Sequence, residues 1–363
     1  MEIMVNWMFG GCFHNKKVLV TGNTGFKGSW LTLWLKHLGA DVTGYSLAPD
    51  THPSHWETLH LDCASYTADI RDAQKLESVF KEVSPDIVFH LAAQPLVRLS
   101  YQEPLDTWST NVLGTANVLN ACRGLSNLTG VVVVTTDKVY ENTEHGLPFS
   151  EEQRLGGADP YSASKAACEL VVQSFRKSFF QSDGPLVASV RAGNVIGGGD
   201  WARDRLIPDI VKASNDQSPL KVRYPDAVRP WQHVLDSISG YLCLGQSMLS
   251  RDTVCEGAWN FGPNTEQIVS VGEMLKAMNV YWPELKWEVQ ENASLPESKL
   301  LRLNSDKAKR KLGWQPIWEL SKTVEHTAKW YQQFYASNTL ASKEQLIEYC
   351  DDAIVKGVHW TCN

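Results

Sequence analysis

"KVLVTGNTGFKGSWLTLWLKHLG", residues 17–39, sets the architecture of the chain. Its opening, 17–22, is a short apolar strand; its close, 28–39, repeats apolar side chains at helical spacing and stops on a glycine. Between them Gly22, Gly25 and Gly28 stand in G-x-x-G-x-x-G spacing. A strand that turns on glycines straight into a helix presents free N–H groups and the positive end of the helix dipole. Glycines at such a turn let a pyrophosphate approach that helix start. Three glycines alone say little, since glycine is common in turns. Their place between a strand and a helix favours a bound nucleotide over a plain turn.

The same rhythm continues outward. "DVTGYSL" (41–47) reads as a strand, "DAQKLESVFKEV" (72–83) as an amphipathic helix and "DIVFHLAA" (86–93) as a strand. "TNVLGTANVLNACRG" (110–124) is helical and leads to "VVVVTTDKVYEN" (131–142), whose four valines suit a strand covered on both faces. A helix is expected from Ser162 to Phe180 and a strand within "PLVASVRAGNVIG" (185–197). This alternation predicts an α/β fold, a Rossmann-type doubly wound parallel sheet. After Gly197 the texture changes to arginine-, proline- and tryptophan-rich loops. The expected division is therefore a nucleotide-binding domain over 15–196, with returns near 233–263, and a smaller substrate-binding domain mainly over 197–335. Residues 1–14 and 336–363 read as peripheral extensions, and "LRLNSDKAKRKLGWQP" (301–316) as carrying a helix packed on the small domain.

Composition narrows the function classes. The 363 residues carry 34 basic and 41 acidic side chains, a formal charge of −7, which disfavours nucleic acid and anionic membranes as partners. Eight cysteines lie scattered without a C-x-x-C pair, so neither a zinc site nor a disulfide framework is expected, and no metal is. The start lacks the pattern of a signal peptide and no run reaches the length of a membrane span, so the expected location is cytoplasmic.

The chemistry is concentrated in two stretches. "DPYSASKAACELV" sets Tyr161 and Lys165 four apart at the head of a helix, on one face. A lysine so placed lowers a tyrosine's pKa and lets the phenolate take a proton from an alcohol. Thr135, Thr136, Asp137 and Lys138 end the valine strand at its carboxyl edge, where open α/β sheets bind ligands. Neighbours on a strand point to opposite faces, so an Asp137–Lys138 pair does not follow from adjacency. The second strand usually ends on an acid for the ribose of NAD, but here Ser46 stands there, with no acid before Asp50 and no arginine. That leaves NAD against NADP open. Asp69 reads equally as a nucleotide contact and as an acid at a helix start.

Together with "LAAQ" (91–94), these motifs make the chain resemble the extended short-chain dehydrogenase/reductase family over roughly residues 16 to 330. The resemblance implies a Rossmann domain followed by a smaller domain for a nucleotide sugar, with Thr136, Tyr161 and Lys165 as the catalytic set. It implies tightly bound NAD, regenerated each turnover, touched by Gly22, Thr24, Gly25, Phe26, Lys27, Gly28, Ser46, Asp69, Ile70, Leu91, Ala92 and Ala93, besides Tyr161 and Lys165. Sugar-nucleotide 4,6-dehydratases of the family carry Thr-Asp-Glu where this chain has Thr136-Asp137-Lys138. With "TGNTGFKGSWL", "GYSLAPDT", "RAGNVIGGGDWARDRLIPD" and "VRPWQHV", that lysine resembles the branch acting on CDP-glucose.

The implied reaction is redox-neutral: oxidation at C4, loss of water across C5 and C6, and return of hydride to C6. Asp137 would help expel the C6 hydroxyl. Lysine in peptides has a pKa of about 10.4, so Lys138 needs a strong depression to act as a base. Its alternative role is an ammonium stabilising the enolate. Gln94, Arg98, Thr135, Asn194, Arg205 and Arg229 are the implied substrate contacts. Arg191 is as well explained by a structural ion pair as by the substrate, and Asn111, Trp201, Trp231 and His233 read as structural. The resemblance also implies a homo-oligomer joined through 110–124 and 162–180. Competing readings are a dehydratase or epimerase for another nucleotide sugar, or a silent NAD(H)-sensing module; Asp137 with Lys138 argues against an epimerase, and the Tyr161–Lys165 pair against the module.

Overall fold

The computed structural model describes residues 8–144, 146–181, 184–264, 268–290 and 300–361. Residues 1–7 of the expected N-terminal extension, and Cys362, lie outside them. The first strands in chain order are β1 (Lys17–Thr21), β2 (Asp41–Ser46), β3 (Ala64–Thr67), β4 (Ile87–His90), β5 (Gly130–Val134) and β6 (Leu186–Ala192). Then β7 (Asn194–Ile196), β8 (Leu220–Val222) and β9 (Val228–His233) leave that sheet, and β10 (Gly257–Phe261) rejoins it. Among the described residues the main sheet has seven strands in the order β3-β2-β1-β4-β5-β6-β10, every pair parallel. The order reverses between β1 and β4, and a ligand crevice opens outside the carboxyl ends of the strands at such a switch point. Farther on, β11 (Ile268–Ser270) joins β9 and β7 in a second sheet, and β12 (Trp287–Val289) pairs with β8.

Strand alternation builds the core on both faces. Val18, Val20, Phe89, Val132 and Val134 join Trp30 and Trp34 of α1 (Phe26–His37) in one cluster. Leu19, Val88, Val131 and Val133 join a second cluster on α2 (Ala73–Val83), α3 (Gly114–Ala121) and α4 (Pro160–Phe179). Each such side chain, removed from water, contributes about 1.5–3 kcal/mol. Local chemistry starts the helices: Asp72 caps α2 by accepting from the Lys75 N–H, and Asp159 caps α4 by accepting from the Ser162 N–H with Pro160 next in line. The helix expected over 110–124 enters through a π turn at Ser109–Leu113 and becomes α-helical at Gly114.

Two expectations are corrected. The flanks are not peripheral where they are described: Phe9 stacks on Trp360 at 4.9 Å, and both are fully buried against Trp34. They reach that face because α5 (Val234–Leu249) and α1 leave an apolar surface that strand and helix patterning alone does not cover. The helix in 301–316, α6 (Asp306–Leu312), packs against β10 and α5 rather than on the small sheets. Lys307 fixes it there, donating to the Ala258 carbonyl at 2.7 Å with its ammonium over the Trp259 ring.

Candidate active site

The glycine turn is shaped by close approach. Gly22 has φ +75°, and a Cβ there would lie 2.6 Å from the Ala92 nitrogen; one on Gly28 would lie 2.0 Å from the Gly22 carbonyl oxygen. Gly25 is different, with only the Gly22 oxygen within contact distance, and as N-cap of α1 it supplies no side chain to the free N–H groups. That open, uncapped helix start fits a dinucleotide's pyrophosphate. Thr24 donates to the Leu47 carbonyl and lies 2.7 Å from Ser46, clamping the turn to the end of β2. Asp69 is held by the Arg71 guanidinium, which keeps its carboxyl below the usual range, and Ile70 is buried beside Gly114. Leu91, Ala92 and Ala93 follow β4 across the crevice.

Tyr161 stands at the head of α4, buried, with its backbone N–H on Ser100 Oγ at 3.1 Å. Burial pushes its phenol up to about 12; a hydrogen bond with Thr136 and the charge of Arg205 oppose that rise. Lys165, one turn on, donates to the Val134 carbonyl at 3.0 Å, and burial lowers its pKa. Arg205 carries a charge that reaches the phenol, while the Lys165 ammonium is turned to the carbonyl at the end of β5. Arg205 is itself steered by Asp200 at 2.9 Å. Lys27 leaves the glycine turn for the same centre: its ammonium reaches Tyr241 Oη at 3.5 Å and feels Arg205, Asp137 and Lys165. Burial first, and then Arg205, bring its pKa down to about 8.

Thr136, Asp137 and Lys138 leave β5 in an extended residue and a single 3-10 turn, Asp137–Val139. Thr136 donates to Asp137 Oδ1 at 3.1 Å, while Asp137 Oδ2, fully buried, has no hydrogen-bond partner among the described residues. A Cβ on Gly193 would stand 3.3 Å from that oxygen, so β7 and its Asn194 begin beside it. Lys138 is half-buried, its backbone N–H donating to Thr136 Oγ at 3.4 Å. A buried carboxylate oxygen without a donor suits a substrate hydroxyl.

Two substrate assignments do not survive the geometry. Thr135 donates to Glu169 Oε1 at 2.6 Å, away from Thr136, because adjacent strand residues alternate. Gln94 is buried with its amide engaged by Leu96 and Thr107, and Asn111 holds its backbone from both sides. Arg191 is the structural ion pair, bound to Glu169 at 2.9 Å. Arg98 meets Asp204 at 3.3 Å, and Arg223, which the motifs did not single out, meets the same acid at 3.4 Å. Arg229 is buried in β9, donating to the Val228 carbonyl at 2.9 Å. Trp201 packs on Trp330 and Phe334, Trp231 donates to Val269, and His233 caps α5. Glu169 also escaped the motif reading, although its spacing four residues past Lys165 was a visible signal.

A parallel sheet reversing at β1/β4, with a tyrosine and lysine on the helix after β5, is the build of the extended short-chain dehydrogenase/reductases. The chain belongs to the GDP-mannose 4,6-dehydratase family, whose model matches residues 19–327, and it is an enzyme of the hydro-lyase class. It is 43% identical over 347 residues to a CDP-glucose 4,6-dehydratase of Salmonella typhimurium, covering 93% of this chain and 97% of that one. An epimerase from Methanothermobacter thermautotrophicus superposes with a TM-score of 0.79 at 25% identity, over 92% of this chain and 96% of the other. The dTDP-glucose 4,6-dehydratase of Bacillus anthracis, solved in complex with NAD, gives 0.72 at 22% identity, over 87% and 96%. Among the described residues no helix is long and apolar enough to cross a membrane.

Proposed function

We propose that the chain converts CDP-glucose to CDP-4-keto-6-deoxyglucose with NAD+ as its regenerated cofactor. The observation that carries the reading is the buried Asp137 Oδ2, unpartnered among the described residues, next to Thr136 and Tyr161. An epimerase, which only inverts C4, has no use for an acid and a lysine directed at C5 and C6. The 43% identity to a CDP-glucose enzyme supports the choice of base.

Gly22, Gly25, Gly28 and the start of α1 would hold the cofactor's pyrophosphate, with Thr24, Phe26, Ser46, Asp69, Ile70 and Leu91–Ala93 around its nucleosides. When bound, NAD+ supplies the hydride acceptor for C4 and returns the hydride to C6. Tyr161 takes the O4 proton, and Thr136 hydrogen-bonds O4 as the ketone develops. The ketone acidifies C5–H; Lys138 as the amine would take that proton, the ammonium so formed would stand beside the enolate, and the same proton would return to C5 once hydride has reached C6. Asp137 delivers a proton to the departing C6 hydroxyl. Asn194 and Arg229 bind the diphosphate, where a guanidinium fork suits phosphate, Arg98 binds the sugar or the phosphate, and Arg205 contacts the substrate between them and Tyr161. The enzyme works in the cytoplasm as a homo-oligomer; the cysteines, free among the described residues, support a reducing compartment.

The test is incubation of the purified protein with CDP-, UDP-, dTDP- and GDP-glucose, reading 4-keto product by its alkaline absorbance. Product from CDP-glucose alone is the expected result. Product from UDP-glucose alone would refute the base assignment while keeping the chemistry, and none from any sugar would refute the dehydratase.

A further inference from the structure

Behind the catalytic turn lies a buried ion pair that the chemistry above does not use. Glu169 and Arg191 are 5% and 3% exposed, and the guanidinium grips the carboxylate through Nε to Oε1 and Nη2 to Oε2, both at 2.9 Å. A buried pair often contributes no more stability than apolar residues of the same volume, so stability alone is a poor reason for this one. Of its other bonds, those to Thr135 and Tyr140 reach the flanks of the catalytic turn, while Ser189 and the Glu151 carbonyl hold it to the surrounding structure. Thr135 donates to Glu169 Oε1 at 2.6 Å, and Ser189 donates to Oε2. On the other side Arg191 Nη1 donates to Tyr140 Oη at 2.7 Å, and Tyr140 donates on to Asn260 Oδ1 at 2.7 Å.

Thr135 immediately precedes Thr136, and Tyr140 follows Lys138 by two residues. The pair therefore grips the stretch 136–138 at both flanks. With Thr135 turned to Glu169, strand alternation sends Thr136 the opposite way, to Tyr161. A cavity of about 400 Å³, lined by Glu151, Glu169, Arg176, Arg191 and Lys307, backs the pair, so side-chain packing would not replace these bonds if they were lost.

We propose that Glu169 and Arg191 are positioning residues, a two-armed brace that fixes Thr136, Asp137 and Lys138 against Tyr161. The brace acts on catalysis only if the dehydratase reading holds. Each arm serves a different step: Thr135 sets Thr136 for proton removal from O4, and Tyr140 sets Lys138 for the elimination.

The test removes one hydroxyl per arm, Thr135→Val and Tyr140→Phe, with Glu169→Gln as the change at the centre. Each arm variant should lower kcat about tenfold with KM held within about twofold, the signature of misplaced catalytic groups. Thr135→Val should move the acid limb of kcat/KM to higher pH, because the Thr136 hydrogen bond opposes the effect of burial on Tyr161. Arg205, Asp137 and Asp159, which also act on that phenol, stay in place. Tyr140→Phe should leave the limb where it is and lower 4-keto product formed per C4 oxidation. In both arm variants, amide hydrogen exchange of residues 135–140 should accelerate about tenfold or more while α4 keeps its protection.

Unchanged kcat, pH profile and local exchange, with only a lower melting temperature, would reduce the pair to a structural one. If Glu169→Gln does not fold, the two arm variants decide the matter alone. Wild-type protein inactive on every nucleotide sugar refutes the dehydratase, and the exchange of 135–140 then still tests the brace.

Discussion

A lysine where the Thr-Asp-Glu dehydratases carry glutamate changes what position 138 can do, because an ammonium cannot accept a proton. Lys138→Met removes both of its candidate roles at similar bulk. In a single turnover the variant should still reduce nicotinamide as C4 is oxidised, yet release little 4-keto-6-deoxy product; normal turnover would exclude both roles. Arg205 offers a second test at this scale. Burial holds the Tyr161 phenol near 12, and the Arg205 charge pulls against that. The phenolate is the working form, so a higher pKa means activity appears only at higher pH. Arg205→Gln should move the acid limb of kcat/KM upward, and activity measured below the limb should fall about tenfold for every pH unit it moves. A limb that stays put would mean that the charge does not reach the phenol in the working enzyme. That Tyr161 and Lys165 share the head of α4, and that 136–138 follow a strand end, could be read from spacing, because these are local facts; their roles rest on the family resemblance. The directions of Thr135 and Gln94 were not legible: each is set by a partner distant in sequence, Glu169 for one and Thr107 with Asn111 for the other.

Among the elements, the strands and helices of the first half follow their patterns closely, since apolar period and capping residues act within a few positions. The terminal segments do not announce themselves in this way. Phe9 and Trp360 look like stray aromatics in sequence, yet they stack on each other and against Trp34 of α1. The helix before Trp360, α7 (Ser342–Lys356), adds Tyr349, which donates to Asp236 in the first turn of α5 at 2.8 Å. Trp360→Ala should therefore cost about 3–5 kcal/mol, as for other buried large-to-small changes, read by urea denaturation. A loss below about 1 kcal/mol would show that the terminal segment does not belong to the core in solution. Helix α6 makes the same point: its charged, short sequence gave no hint that Lys307 would anchor it to β10.

At the scale of the whole molecule, two surfaces matter: the crevice at the sheet's switch point and the outer face of the helices beside it. On that outer face Leu105, Leu113 and Leu170 are 83%, 60% and 57% exposed, and Trp108 is also exposed, an apolar set that suits pairing with a second copy. Leu113→Glu should abolish the self-association proposed for this face, read by light scattering, while leaving the chain folded; wild-type protein that runs as a monomer would remove this surface from consideration. Spacing along the chain was enough to establish the α/β alternation, the glycine turn between β1 and α1, the place of Tyr161 and Lys165 at the head of α4 and the unusual lysine, because each rests on neighbours within one or two turns. Folding settled the rest: the charge of Arg205 reaching Tyr161, the bonds of the Glu169–Arg191 pair to Thr135 and Tyr140, Lys27 turned toward Tyr241 and the burial of the described parts of the two flanks. Those depend on groups brought together across long stretches of chain, where charge, burial and hydrogen-bond partners are fixed only once the sheet has formed.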